Sequence, residues 1–351
     1  PLLRATFHGD RTQEIAARRP VWLQFDDLTG HRDADAVVAR RWDELHELKL
    51  DLNRTWSVRL IRLDPLHHRL LLAAHHIVAD AVSAWTLLTE LLTAERAIVL
   101  GKQTVFGPIH EFRELVGARG RGGTWWAETL ADLPQTAAPP RTAEVEVEVR
   151  FSVAPPVWTE VQRRARAGST TPFVVVLSEV AASLQEVLGV DDVTLATALT
   201  GRGPGAEGVV GPFARGLPIR VRDTGLAEVA AAFGGVAAHA DVPASDIAAA
   251  VGADAVSRLG RFFFTWLDPA MVQAPPAEIR VDWAAGRYRF ATRSSDTEVM
   301  VGAVIDGGLH LHLHGDVLVE RLSPVLERRM AALGRPSSAL VIYPPEGAIL
   351  P

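Results

Sequence analysis

Two adjacent histidines follow directly on an apolar strand pattern, and this junction constrains the fold more than any other stretch of the chain. The short apolar run from Leu70 to Ala74 predicts a buried strand. After His75 and His76, residues Ala81 to Val99 carry apolar side chains at helical spacing. Asp80 predicts the N-cap of that helix, with its carboxylate accepting an amide hydrogen two or three residues further on. The junction therefore holds an imidazole between a strand end and a helix N-terminus.

The rest of the chain alternates between strand and helix patterns, which favours an α/β fold. Residues 56–63 and 69–74 predict two strands joined across Asp64-Pro65. Helical spacing over 156–167 and 172–188 precedes a strand pattern over 193–199. Weaker patterns predict a strand at 21–25, a helix at 35–50 and a strand at 145–153, and the end of the chain predicts a strand at 309–314 and a helix at 320–333.

Chain length and proline content predict two lobes. A chain of 351 residues is long enough to form two hydrophobic cores. Adjacent prolines within 132–142 cannot continue a helix, so they predict a linker. We expect a first lobe over 1–135, a second lobe over 143–333 and a Pro-rich tail over 334–351.

Composition argues against several classes of protein. The formal net charge of −6 disfavours a nucleic-acid partner, which normally selects a basic surface. The absence of cysteine rules out disulfides and thiolate metal sites, and it is compatible with the cytoplasmic location that we expect. No apolar run approaches the roughly 20 residues of a membrane helix. The sequence starts without an initiator Met or a signal-peptide pattern, so we expect it to begin part-way through a fold.

Three further sequence patterns resemble functional motifs, but none of them predicts a functional site. Gly203 to Gly208 fits GxGxxG, but the glycines and prolines that follow forbid the helix that a dinucleotide site needs, so a loop is predicted. His310, His312 and His314 share one strand face, and we expect a solvent-facing polar row rather than a zinc site. The sequence has no G-x-S-x-G, so it gives no support to a nucleophile-elbow hydrolase.

The histidine pair alone is also typical of two structural histidines that are hydrogen-bonded in a turn. Its spacing to Asp80, however, is characteristic of a family motif. His75-His76-x-x-x-Asp80 resembles the HHxxxDG motif of the condensation-domain superfamily, which includes chloramphenicol acetyltransferase. Four more segments resemble motifs of the nonribosomal-peptide branch, in the order of the family. They are Leu3 to Phe7 (RHxxLRTxF), Val210 to Arg220 (IGxFVNTLPLR), His239 to Pro243 (HxDVPFE), and Ser257-Arg258 with Phe262 to Trp266 (SRxPLFQVMF).

The resemblance implies a fold and roles for the motif residues. It implies two chloramphenicol-acetyltransferase-like lobes in a V-shaped pseudo-dimer, with the active site at their interface. It assigns catalysis to the second histidine, His76, which either removes a proton from the attacking amine or positions that amine. His75 is then structural. Asp80 pairs with an arginine that locks the loop, and Arg4 is a candidate for that arginine.

The sequence departs from the family at several positions. Ala81 stands where the family has Gly, which is harmless if this residue is the first of a helix. Arg215-Gly216 replaces an Asn-Thr pair and puts a long cation near the expected tunnel. The family's YxDYAxW segment is only partly matched at 109–115, and the first strand and helix of the family, which precede Arg4, have no counterpart.

The resemblance also implies a reaction and its partners. It implies amide formation between a carrier-bound acyl or aminoacyl thioester and a carrier-bound amine. Donor and acceptor carrier proteins are the expected partners, their phosphopantetheine arms serve as substrate tethers, and no metal or bound cofactor is expected. Two alternatives stay open: a stand-alone acyltransferase with a free amine or alcohol acceptor, and a non-catalytic recruitment domain. An epimerase is less favoured, because its glutamate-bearing motif has no match.

Overall fold

The chain forms a mixed α/β structure with strands and helices spread along its length. The computed structural model describes residues 2–8, 12–19, 21–47, 50, 52–104, 106, 110–116, 123–134, 147–252, 259–268, 297–305 and 307–334. In these ranges the strands are β1 Ala5–Phe7, β2 Gln13–Ile15, β3 Leu23–Asp27, β4 Trp56–Arg62, β5 His68–Ala74, β6 Val147–Ser152, β7 Val193–Leu199, β8 Arg215–Val221, β9 Phe262–Leu267, β10 Val299–Ile305 and β11 Leu309–Gly315. The helices are α1 Ala34–Glu47, α2 Ala81–Val99, α3 Phe112–Leu115, α4 Gly123–Thr129, α5 Pro155–Ala167, α6 Pro172–Leu188, α7 Leu226–Ala238, α8 Ala244–Val251 and α9 Leu318–Leu333, with a 3₁₀ turn at Leu2–Arg4.

The described strands pair into sheets of two, three and six strands. Strands β1 and β2 form an antiparallel pair. In the sheet β3-β4-β5, β3 is parallel and β5 antiparallel to the central strand. The largest sheet has the order β6-β11-β10-β9-β7-β8, and β9 runs parallel to both of its neighbours. The predicted α/β class is confirmed, with mixed rather than purely parallel sheets.

The main hydrophobic core lies on one face of the six-stranded sheet. Leu309, Leu311 and Leu313 of β11 are fully buried there. Apolar side chains of helices α5, α6 and α9 pack in the same cluster. Helix α6 is apolar on nearly all sides, which is typical of a helix packed between other elements. Pro172 opens this helix, and Gly189 ends it with φ 69°, a left-handed conformation that glycine adopts without strain.

Helix α4 packs on this same core although it falls inside the range expected for the first lobe. Trp126 is fully buried in the main cluster, and its indole N–H donates to the carbonyl of His239 at 3.2 Å. Trp125 stacks on the His239 ring at 4.2 Å. The division of the chain into lobes at residue 135 stays a prediction. Helix α4 precedes this position in the sequence, but it packs in the core formed by residues that follow it. Most of the predicted linker (135–142), the tail beyond 334, and Ser257-Arg258 lie outside the described residues.

Within the described ranges, no single helix has the length and apolar composition of a membrane span. Only α5 and α6 taken together meet that combination, and they are bent by 107° at the break between them.

The three histidines of β11 lie on the sheet face opposite the buried leucines, but they are half-buried rather than fully solvent-facing. Antiparallel pairing places His310 beside Ser152, with which it shares a 2.9 Å hydrogen bond. His312 pairs with Arg150. Among the described residues, no group of three or more His, Cys, Asp or Glu side chains is arranged to hold a metal ion.

The partial burial of His312 predicts a pH dependence of stability. Burial lowers the pKa of His312 below its ordinary value of 6.5, and the positive charge of Arg150 acts in the same direction. The unfolded chain therefore binds this proton more readily than the folded protein, so stability falls as the pH drops through 6.5. We expect His312→Gln to lose less unfolding free energy than the wild type between pH 7.5 and 5.5, as measured by urea unfolding. Equal losses in the two proteins would contradict this assignment.

Candidate active site

The histidine pair lies in a tight turn between β5 and α2. The His75 amide donates to the carbonyl of Thr55 at 2.7 Å, which continues the pairing of β4 with β5 by one residue. The carbonyl of His75 then accepts the amide of Val78 at 3.0 Å, which closes the turn. His76 lies at the exposed position of this turn.

The two histidines have different environments. His75 is half-buried, and its Nδ1 accepts the amide hydrogen of Ile77 at 3.1 Å. Val78 and Ala79 anchor the turn in a small buried cluster with residues of the N-terminal segment. The His76 side chain is exposed and makes no hydrogen bond to the described part of the chain. The geometry fits a structural His75, and it leaves the His76 ring accessible to a substrate.

Asp80 is the N-cap of α2, as the sequence predicts. Its Oδ1 accepts the amide of Ser83 at 2.7 Å. Its Oδ2 accepts the amides of Phe213 and Ala214, both at 3.1 Å. The side chain is only 2% exposed. One carboxylate therefore fixes the start of α2 against a segment more than 130 residues further along the chain.

Arg202 is the arginine that pairs with Asp80, and no pattern in the sequence indicates this pair. Its Nη2 lies 2.8 Å from Oδ1 of Asp80, and its Nη1 donates to the carbonyls of Ala206 and Val209 at 2.9 and 2.7 Å. The guanidinium also lies 4.3 Å from the ring centre of Phe213. With a side chain only 10% exposed, Arg202 ties its own loop to the N-terminus of α2.

The expectation that Arg4 fills this role is wrong. Arg4 Nη1 donates to the carbonyl of Ala16 at 2.6 Å and to that of Ala17. The pairing of β1 with β2 brings these carbonyls next to Arg4, so its guanidinium is used locally. Arg4 therefore stabilises the N-terminal hairpin, and Asp80 takes its partner from the loop after β7.

Ser83 completes the hydrogen-bond network at this junction. Its Oγ accepts hydrogen bonds from the Gly211 amide at 3.0 Å and from Arg202 Nη2 at 2.9 Å. Its hydroxyl hydrogen is within reach of Oδ1 of Asp80 at 2.7 Å and the Gly211 carbonyl at 2.8 Å. A Cβ at Gly211 would lie 2.3 Å from the ring of Phe112, so glycine at this position lets that ring pack against the backbone that Ser83 binds.

A cavity of about 1010 Å³ opens beside this network. Its wall includes Asp80 and Ala81 on one side, and on the other the carboxyl ends of the parallel strands β7 and β9. The carboxyl ends of strands are the usual place for ligands in α/β sheets. Five aromatic side chains form much of the remaining wall: Trp85, Trp158, Phe173, Phe233 and Trp266. His76 is not itself in the wall, but it belongs to the same turn, four residues before Asp80.

Arg215, which the resemblance implies lies near a tunnel, is in the wall of this cavity. It begins β8, and its Nη1 donates to the carbonyl of Ala240 at 2.5 Å. Asp241 lies 4.0 Å from the same nitrogen. The structure thus brings Arg215 and the Asp80 network to one cavity, while Arg4 is bound elsewhere.

Ala81, which replaces the family's glycine, is the first residue of α2 and is exposed. Among the described residues, only Asp132 and Ser169 have positive φ without being glycine. The backbone at Ala81 is therefore unstrained for an L-residue, and nothing in it requires glycine.

We expect Ala81→Gly to destabilise the protein slightly, by up to about 1 kcal/mol, because glycine loses more backbone freedom in a helix than alanine. Turnover should change less than about tenfold, or roughly 1.4 kcal/mol in the barrier. Urea unfolding and single-turnover rates on the same preparation measure both effects. A gain in activity well above tenfold would mean that the Ala81 methyl group obstructs the site.

Several solved structures share the fold of this chain. The first condensation domain of the CDA synthetase matches with a TM-score of 0.73 at 22% identity, covering 95% of this chain and 84% of that one. The X-domain from teicoplanin biosynthesis matches with a TM-score of 0.69 at 22% identity, covering 95% and 85%. The epimerization domain of the third module of tyrocidine synthetase B matches with a TM-score of 0.68 at 14% identity, covering 95% and 84%. The chain therefore has the fold of condensation domains.

The family follows from the sequence comparisons. Residues 1–255 match the family model described as "Condensation domain", and the chain belongs to this family. Nonribosomal peptide synthetase kk1B of Curvularia clavata is 29% identical over 62% of this chain, which is 2% of that protein. Phosphinothricin tripeptide synthetase PhsB of Streptomyces viridochromogenes is 29% identical over 62% of this chain and 20% of its own length. The chain thus spans at most a fifth of these two relatives.

Proposed function

We propose that this condensation domain is catalytic and forms an amide bond in nonribosomal peptide biosynthesis. The donor is an acyl or aminoacyl thioester on one carrier protein, and the acceptor is an amine on another. The observation that carries the proposal is the accessible His76 ring, held in a turn whose Asp80–Arg202–Ser83 network borders a large cavity. A two-lobed arrangement like that of chloramphenicol acetyltransferase, with the site between the lobes, is part of this proposal.

His76 has the chemistry that amide formation requires. The amine nitrogen attacks the thioester carbonyl, the new C–N bond forms, and the C–S bond breaks. The amine loses a proton, and the departing thiolate of the phosphopantetheine arm gains one. A histidine can accept and return that proton near neutral pH, and positioned base catalysis contributes about 10²–10⁴-fold in rate. His76 either carries this proton or orients the amine by hydrogen bonding.

Positioning supplies the rest of the rate enhancement. Holding two tethered substrates in line is worth up to about 7–11 kcal/mol. Asp80 and Arg202 contribute indirectly, because their buried ion pair holds the turn that bears His76 against the loop that follows β7. The carrier proteins, their phosphopantetheine tethers and a cytoplasmic location complete the proposal.

The substitution at Ala81 does not favour the non-catalytic alternative. An exposed methyl group on an unstrained helical residue leaves the neighbouring turn as it is. The X-domain from teicoplanin biosynthesis, which has been solved in complex with OxyB, shares the fold, so the fold alone does not separate catalysis from the binding of a partner. The stand-alone acyltransferase differs from our proposal in its acceptor.

Acceptor dependence tests the proposal. One donor carrier loaded with an acyl thioester is offered the same amine in two forms, tethered to an acceptor carrier or free in solution, and a matching free alcohol. We expect the tethered amine to react at least about 100-fold faster at equal concentration, because tethering raises its effective concentration at the site. Equal rates with the free amine or alcohol would favour the stand-alone acyltransferase.

A further inference from the structure

Arg215 has an unused hydrogen-bonding edge in the wall of the cavity. Its Nη1 is bound to the carbonyl of Ala240, whereas Nε and Nη2 make no hydrogen bond to any described residue. Arginine presents five N–H donors in a planar fork, and Nε and Nη2 together form an edge that binds two oxygen atoms side by side. This edge is therefore open to a ligand with paired oxygens.

The charge of Arg215 is only weakly neutralised by the residues around it. Asp241 lies at 4.0 Å, and its side chain is 86% exposed, so the pair is loose and strongly screened by solvent. The other arginine in the wall, Arg202, has both Nη groups bound to Asp80, Ser83 and two backbone carbonyls, and its Nε is buried. Of these two arginines, Arg215 is the one available to a ligand.

Most of the remaining wall is apolar, although Gln162 and Asp268 also belong to it. Trp158 and Trp266 lie 6.4 Å apart between ring centres, and Phe173 meets Trp266 edge-on at 6.0 Å. Cavities of roughly 300–1,000 Å³ hold drug-sized ligands. At about 1010 Å³, this cavity has room for a group larger than one amino-acid side chain.

We propose that the cavity binds the acyl or aminoacyl group of one of the two substrates, and that this group combines an aryl or long alkyl body with a carboxylate. The body packs on the aromatic wall, and the carboxylate binds the Nε–Nη2 edge of Arg215. This inference rests on the proposed function and adds a substrate class to it. The phosphate of a phosphopantetheine arm offers the same paired oxygens, and the experiment separates the two sources.

Binding of unreactive analogues tests this proposal without turnover. The probes are S-(4-carboxyphenacyl)pantetheine, its 4-carbamoyl isostere, and pantetheine with and without its 4′-phosphate. We expect calorimetry to give at least about tenfold tighter binding of the carboxylate than of the amide, because hydrogen bonds to charged groups are stronger than neutral ones. Arg215→Met should remove this preference, and Arg215→Lys, which keeps the charge but not the fork, should reduce it.

The control is Arg222→Met. Arg222 directly follows the last residue of β8, at the opposite end of the strand from Arg215, and its side chain is 64% exposed. This variant should keep the full preference. Equal affinity for carboxylate and amide in the wild type, or a preference that survives in a folded Arg215→Met, would overturn the proposal. So would an Arg215-dependent preference for the 4′-phosphate alone. A carboxylate preference in a protein that forms no amide would refute the proposed function but not this subsite.

Discussion

Replacing His76 by alanine is expected to lower the rate of amide formation at least about 100-fold while the protein stays folded. This factor is the low end of the range expected for the loss of a positioned base. The side chain is exposed and has no hydrogen bond to the described residues, so its truncation costs little stability. Single-turnover rates with loaded carrier proteins measure the effect on chemistry, and thermal unfolding measures the effect on the fold.

Two other histidines serve as controls for His76. His68 is exposed at the start of β5, the strand that leads into the histidine pair, and His68→Ala should retain both the rate and the melting temperature. His75→Ala should lower the melting temperature, because the Ile77 amide loses its acceptor. A His76→Ala protein that keeps near-wild-type single-turnover rates would show that His76 neither carries the proton nor orients the amine.

Asp80→Ala is expected to destabilise the protein by about 3–5 kcal/mol and to reduce activity as a consequence. The substitution removes the α2 N-cap, worth about 1 kcal/mol, and leaves the buried Arg202 guanidinium without its counter-charge. Urea unfolding measures the loss. The double variant Asp80→Ala/Arg202→Met should recover part of it, because it removes the uncompensated charge.

The exposed ion pair between Glu186 and Arg328 provides the matched control. Its partners are 45% and 58% exposed, and Glu186→Ala should cost no more than about 1 kcal/mol. A loss in Asp80→Ala no larger than this would mean that the buried network does not hold the junction. Unchanged stability together with abolished activity would instead indicate a direct chemical role for Asp80.

The elements best predicted from sequence have a strong periodic pattern and clear ends. Helix α2 spans Ala81–Val99 and strand β7 spans Val193–Leu199, both as predicted. In each case the apolar spacing agrees with the tertiary packing, and Asp80 caps the helix as expected. Strand β3 was predicted at 21–25 but lies at Leu23–Asp27, because Asp26 pairs with Arg59 across the sheet and holds the polar end within the strand.

The network around Asp80 could be predicted only in part. The N-cap bond is local, since it joins residues three positions apart, and the sequence indicates it. The partner Arg202 lies 122 residues away. It directly precedes the GxGxxG match, a pattern that is typical of dinucleotide binding and gives no sign of an ion pair with Asp80. Gly201 has φ 58°, and a Cβ there would lie 2.0 Å from the carbonyl of Phe213. Gly201 therefore lets the loop that bears Arg202 approach the Phe213 backbone closely, which no single-sequence pattern reveals.

The cavity also depends on residues that are distant in sequence. Its wall combines the start of α2, the N-terminus of α6 and the ends of β7 and β9. Sequence resemblance placed Arg215 near a tunnel, and the structure shows it in that wall. Of the five aromatic residues in the wall, only Trp266 belongs to a family-motif match in the sequence. The other four carry no such signal, because isolated Trp and Phe positions in helices and strands are more often core residues than ligand contacts.

The most direct test of a catalytic condensation domain is intact-mass spectrometry of the two carrier proteins. A donor carrier loaded with an acyl group and an acceptor carrier loaded with an amino acid are incubated with and without the wild-type protein and with His76→Ala. We predict that the donor carrier loses the mass of the acyl group and the acceptor carrier gains it, in the presence of the wild-type protein only. If no mass moves between carriers across a panel of donors and acceptors, while the loaded carriers bind the domain, the domain recruits partners and does not catalyse condensation.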